Sequence, residues 1–94
     1  MTARQVVKKF CKLKGIDIST GGELYTPKEW RERGERWGTT SKLVITHDGG
    51  DFAPYLNLDY GCYKLFDEMV EFFSKHGYYA ELCTGWYSAV YPID

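Results

Sequence analysis

The chain has 94 residues, 44% of them hydrophobic and 27% charged, with a net charge of -1. That length supports one hydrophobic core and excludes a multidomain enzyme, and the composition excludes collagen, a coiled coil and a disordered tail. Cys11, Cys62 and Cys83 form an odd set without C-x-x-C spacing, which implies neither a disulfide framework nor a zinc ribbon and suits a reducing cytoplasm. No apolar run approaches the roughly 20 residues that span a bilayer, and lysines interrupt the segment from Met1 to Lys14, so the expectation is a soluble cytoplasmic protein with no membrane partner.

Ala3 to Lys14 places Val6, Val7, Phe10, Cys11 and Leu13 on one arc and Arg4, Lys8, Lys9 and Lys12 on the other, which predicts an amphipathic helix stopping at Gly15. Ile16 to Glu23 reads as a turn-rich connection. In Tyr25-Thr26-Pro27-Lys28-Glu29-Trp30, Thr26 is the expected N-cap, Pro27 the first helical residue and Glu29 the return half of a capping box, with Tyr25 stapled to Trp30. This second helix is expected to run to Gly38, supported by Glu29–Arg33 and Glu32–Arg36 pairs, with Trp30, Gly34 and Trp37 on one face.

Lys42 to Asp48 is β-branched and apolar, Asp48-Gly49-Gly50-Asp51 is turn-like, and Phe52 to Leu58 reads as a returning strand that either lies at an edge or carries a bulge at Pro54. Asp59 is the expected cap of a helix from about Gly61 to His76, whose apolar arc carries Cys62, Leu65, Phe66, Met69, Val70, Phe72 and Phe73. Tyr79 to Cys83 and Trp86 to Tyr91 read as two final strands. The predicted fold is a single α+β domain, residues 1–94. Two N-terminal helices precede β-β-α-β-β, and the long helix packs on a mostly antiparallel four-stranded sheet.

Charge is divided along the chain. Residues 1–42 hold ten Lys/Arg against five Asp/Glu, and residues 43–94 hold two against eight. A nucleic-acid surface would draw on Arg4, Lys8 and Lys12, on Arg31, Arg33 and Arg36, and on Trp30 or Trp37 for stacking, but the pI of about 6.1 lacks the basic excess such binders carry. Asp48, Asp51 and Asp59 beside His47 have the chemistry of a divalent-cation site, yet hairpin geometry and helix capping account for them. Cys62 at a helix start, with His47 or His76 as base, is better read as a buried thiol. No cofactor, metal or catalytic set is therefore expected, and the chain reads as non-catalytic.

Sixteen aromatics, eight of them tyrosine, are the unusual feature. Alternation puts Tyr87 and Tyr91 on one side of the last strand and Trp86, Ser88 and Val90 on the other, so one helix cannot cover both faces. The N-terminal helices or a partner must cover the second. The expected function is binding to a larger protein or protein complex through Tyr79, Tyr87 and Tyr91, with Asp67, Glu68 and Glu71 supplying steering. The small size suits a phage or mobile-element inhibitor that masks a surface of a host defence complex. A self-complementary aromatic face would equally give a homodimer, and nucleic-acid binding through the basic helices is the alternative.

Overall fold

The computed structural model describes residues 1–93. It is an α+β fold: a four-stranded antiparallel sheet with helices on both faces. In chain order the elements are α1 (Ala3–Lys14), β1 (Gly22–Tyr25), α2 (Pro27–Glu32), β2 (Leu43–His47), α3 (Ala53–Leu56), a 3-10 turn (Leu58–Tyr60), α4 (Tyr63–Lys75), β3 (Tyr78–Thr84) and β4 (Tyr87–Pro92). The strand order is β1-β2-β4-β3.

The period-two alternation of β2 and β4 creates two unequal cores. On the first face Leu43, Ile45 and Val90 pack with Val6, Val7, Phe10 and Cys11 of α1, Phe52 and Leu56, and Met69 and Phe73 of α4. Phe10 is the hub of this layer, with ring centroids 5.3 to 6.2 Å from those of Phe52, Tyr55, Phe72 and Phe73. The second face carries the smaller cluster of Trp30, Val44 and Tyr87. Covered on both sides, β2 is buried along its whole length.

α1 follows the sequence reading, and Thr2 adds a capping box with Gln5. Leu13 is the exception on its arc and is exposed. α2 begins as expected: Thr26 and Glu29 form both halves of the capping box, and Tyr25 lies 5.1 Å from Trp30.

Several expectations are corrected. The fourth strand is Gly22–Tyr25 and lies in the connection read as turns; it pairs with β2 through Leu24↔Ile45 and Glu23↔Thr46. Phe52 to Leu58 is not a strand, its centre being the helical turn Ala53–Leu56: Phe52 and Leu56, four apart, both enter the core, and Pro54 suits a first turn as readily as a bulge. α2 ends at Glu32, because Gly34 adopts φ 80° and turns the chain, so Trp30 and Trp37 do not share a helix face. Glu29 is committed to the capping box and Arg33 to the rings of Tyr25 and Trp30 and to Glu35 at 3.9 Å, while Arg36 lies beyond the end of α2 over the Trp37 ring, so neither expected i,i+4 pair forms.

Asp59 lies in the 3-10 turn, capped by Asn57, and Cys62 occupies the N-cap of α4 without a side-chain bond to the helix. The arc of α4 is narrower than read: Met69 and Phe73 are buried and Val70 is exposed. The Asp48–Asp51 segment docks against another loop instead of closing a hairpin. A Cβ on Gly50 would lie 1.4 Å from the Thr20 carbonyl oxygen, and the Asp51 amide donates to Thr20 Oγ1 at 3.1 Å.

Candidate functional site

The second face is where the sheet is incompletely covered. Trp30 is fully buried there, its ring 4.8 Å from that of Tyr87 at an interplanar angle of 63°. Its indole N–H donates to the Trp37 carbonyl at 3.0 Å, which anchors the chain after α2. Gly38 then lies directly on the sheet: a Cβ there would stand 3.1 Å from the Cβ of Ala89. Ser41 completes the crossing by donating to the Gly38 carbonyl at 2.7 Å. Trp86, expected on the first face, precedes β4 in the turn and joins this cluster 5.7 Å from Trp30.

Tyr87 is thereby removed from the surface, with 2% exposure, which corrects its reading as a contact residue. Burial raises its hydroxyl pKa. Beyond the crossing segment the face stays open. Tyr79 of β3 and Tyr91 of β4 are cross-strand partners whose rings stack 5.5 Å apart at 23°. Tyr79 is 45% exposed. Tyr91 is half-buried, and burial pushes its hydroxyl up while the neighbouring Thr40 hydroxyl pulls it down, so it stays a neutral donor at neutral pH. Glu81 shares this face through its pairing with Ala89 and is exposed. Trp37, at the start of the same crossing segment, is 52% exposed with the Arg36 guanidinium 5.1 Å from its ring centre.

The acidic residues lie elsewhere. α4 packs on the first face, so Asp67, Glu68 and Glu71 are on the opposite layer from Tyr79 and Tyr91, and the expected single surface does not form. Glu68 pairs with Lys14 of α1 at 3.2 Å and Glu71 with Lys75 at 3.4 Å. The missed neighbours are Glu81 and Thr40. Glu81 was within reach of the sequence, because residues two apart on a strand share a face; Thr40 depends on the path of the crossing loop.

The nucleic-acid set is also divided. Trp30 has no exposed ring to stack on a base. Arg31 donates to the Thr39 carbonyl at 2.7 Å, and Arg33 lies 4.9 Å from the Trp30 ring centre and donates to the Tyr25 hydroxyl at 3.1 Å. Arg4, Lys8 and Lys12 belong to α1, which packs on the first face, whereas Trp30 packs on the second; Arg4 reaches the start of α2, lining a cleft with Thr26, and there its charge meets Glu29.

Among the described residues no group of three His, Cys, Asp or Glu side chains could hold a metal ion. Asp51 accepts the Asp17 amide at 3.2 Å, and Asp59 lies in the 3-10 turn. His47 is buried with Nε2 2.9 Å from Ser88 Oγ, and the loss of hydration holds its pKa down. Cys62, expected to be buried, is only half-buried at the start of α4, its thiol 3.7 Å from the Tyr60 carbonyl. Burial raises the Cys11 thiol to about 12 and also raises Cys83. All three cysteines are free. No helix among the described residues is long and apolar enough to cross a membrane.

Compared with known proteins, the chain matches no family model, no curated protein and no solved structure.

Proposed function

We propose that the chain is a non-catalytic protein-binding module of the cytoplasm that seats the open end of its second sheet face on a larger protein. The observation that carries this reading is the stacked Tyr79–Tyr91 pair, held on adjacent strands and left half open beside Glu81 and Thr40. Two rings already ordered by the sheet lose little conformational entropy on binding, and tyrosines offer broad apolar faces with a hydroxyl donor at the edge. Arg36 on Trp37 adds a further aromatic and cationic contact at the start of the crossing loop. Three free thiols suit a reducing compartment. In its sharper form the proposal makes the chain an inhibitor of phage or mobile-element type that masks a surface of a host complex.

The test is affinity capture from cell lysate, followed by titration of the purified captured protein against the wild type, Tyr79→Ala and Tyr91→Ala. Both substitutions are expected to weaken binding at least tenfold. Affinity unchanged by either would reject this surface.

A further inference from the structure

We propose that β3 is a self-pairing edge and that two copies of the chain join through it into a continuous eight-stranded sheet. β3 is the outer strand of the sheet and has seven residues, Tyr78–Thr84. The opposite edge, β1, has four. Natural edge strands are blunted by lysine, proline, bulges or shortness. β3 contains no lysine or proline, and its one register shift falls between Leu82 and Thr84, which leaves Tyr78 to Leu82 regular.

The phase of the ladder determines which backbone groups are free. The Ile93 amide donates to the Gly77 carbonyl at 2.8 Å, in the same register as Tyr79↔Tyr91 and Glu81↔Ala89. Hydrogen-bonded pairs alternate along an antiparallel ladder, so Gly77, Tyr79 and Glu81 turn their amides and carbonyls toward β4. Tyr78, Ala80 and Leu82 turn theirs outward. Pro92, which has no amide to give, stands opposite Tyr78, where this phase asks for none.

Read against a second copy of itself in the antiparallel sense, this stretch is self-complementary about Ala80. Ala80 meets Ala80 of the second copy and Tyr78 meets Leu82 of the second copy, each an outward-pointing pair that exchanges two hydrogen bonds. Between them Tyr79 stands opposite Glu81 of the second copy, a hydroxyl donor against a carboxylate. The chain already uses this pairing on β1, where the Tyr25 hydroxyl donates to Glu23 at 2.6 Å. Moving the centre to Glu81 would set two carboxylates directly opposite, which is destabilising. On the first face Tyr78 against Leu82 continues the apolar layer; on the second, the dimer brings two Tyr79–Tyr91 stacks onto one surface. An edge contact buries less than a standard interface, so the dimer is weak and reversible.

The inference does not rest on the binding reading above, because Tyr91→Ala, which tests that reading, leaves the β3 edge intact. The experiment is sedimentation equilibrium of the full chain from micromolar to millimolar concentration. Wild type is expected to show a monomer–dimer equilibrium. Ala80→Pro removes an outward amide that β4 does not use, and is expected to raise the dimer dissociation constant at least tenfold with an unchanged circular dichroism spectrum. Should that variant fail to fold, Leu82→Lys is read in the same way. Tyr79→Lys, opposite Glu81 of the second copy, is expected to tighten the dimer several-fold in low salt. A wild type that stays monomeric throughout, a dimer indifferent to the edge variant, or loosening by Tyr79→Lys would overturn the proposal.

Discussion

The ring centroids of Trp30 and Tyr87 lie 4.8 Å apart in an edge-to-face arrangement, and this contact closes part of the second sheet face. Trp30 is the one fully buried side chain of α2, a helix of six residues whose hold on the sheet depends on it. Trp30→Ala is expected to cost about 3–5 kcal/mol in urea unfolding. Trp30→Phe keeps the ring contact but leaves the Trp37 carbonyl without its donor, at about 1–3 kcal/mol. Trp30→Ala should also increase binding of a hydrophobic dye, since Tyr87 would be uncovered, whereas Trp30→Phe should not; unfolding free energies equal to wild type would contradict the role given to Trp30.

Tyr79 and Tyr91 lie on the open half of the same face and belong to neither buried cluster. Tyr79→Ala should shift unfolding free energy by no more than about 1 kcal/mol, the scale of a cross-strand aromatic pair. Chemical denaturation checks this, and the result separates a partner-facing residue from a structural one.

The contrast between Gly49 and Gly50 gives a sharper test of the loop contact. Gly49 has φ 73° and open space around its missing Cβ, so Gly49→Ala is expected to cost about 1 kcal/mol. Gly50 abuts the Thr20 carbonyl, and Gly50→Ala must separate the two loops; a loss of more than about 3 kcal/mol, or failure to fold, is expected. Equal thermal midpoints for the two variants would show that the loops do not meet.

His47 makes stability depend on pH. Burial outweighs the adjacent Asp48 carboxylate and holds the folded-state pKa below its ordinary value. The unfolded chain therefore binds the proton more readily. The His47 contribution is fully present above about pH 6.5 and falls by up to about 1.4 kcal/mol per pH unit below that, until the folded-state ring protonates as well. Comparing the pH profiles of unfolding for wild type and His47→Gln isolates this contribution: the wild-type curve should fall more steeply in acid.

The exposed stripe of α1 tests the alternative reading. Lys8 and Lys12 are exposed, and Lys8→Glu with Lys12→Glu should leave the unfolding free energy within about 1 kcal/mol of wild type. If the chain acts through protein contacts, labelled DNA and RNA titrated at low and moderate salt should show no steep salt-dependent binding. Binding that these substitutions abolish would transfer the function to α1.

Local chemistry determined much of this protein. Thr26-Pro27-x-Glu29 starts α2, α1 is legible from its apolar arc and stops at Gly15, and alternation along β4 already required cover on both sheet faces. These signals depend on neighbours a few residues away, which a sequence displays directly. Tertiary structure decided which residues supply the cover. Phe52 to Leu58 alternates well enough for a strand, but the place beside β2 is taken by β4, whose pairing satisfies the same backbone groups, so the segment turns as a helix under the core. Gly22–Tyr25 becomes a strand because the other side of β2 offers an unpaired ladder. The partition of the tyrosines, Tyr87 enclosed and Tyr79 with Tyr91 open, follows from the path of residues 37–41 across the sheet. That path is held by hydrogen bonds from the Trp30 indole, the Arg31 guanidinium and the Ser41 hydroxyl and by the absence of a side chain at Gly38, an arrangement that no local pattern encodes.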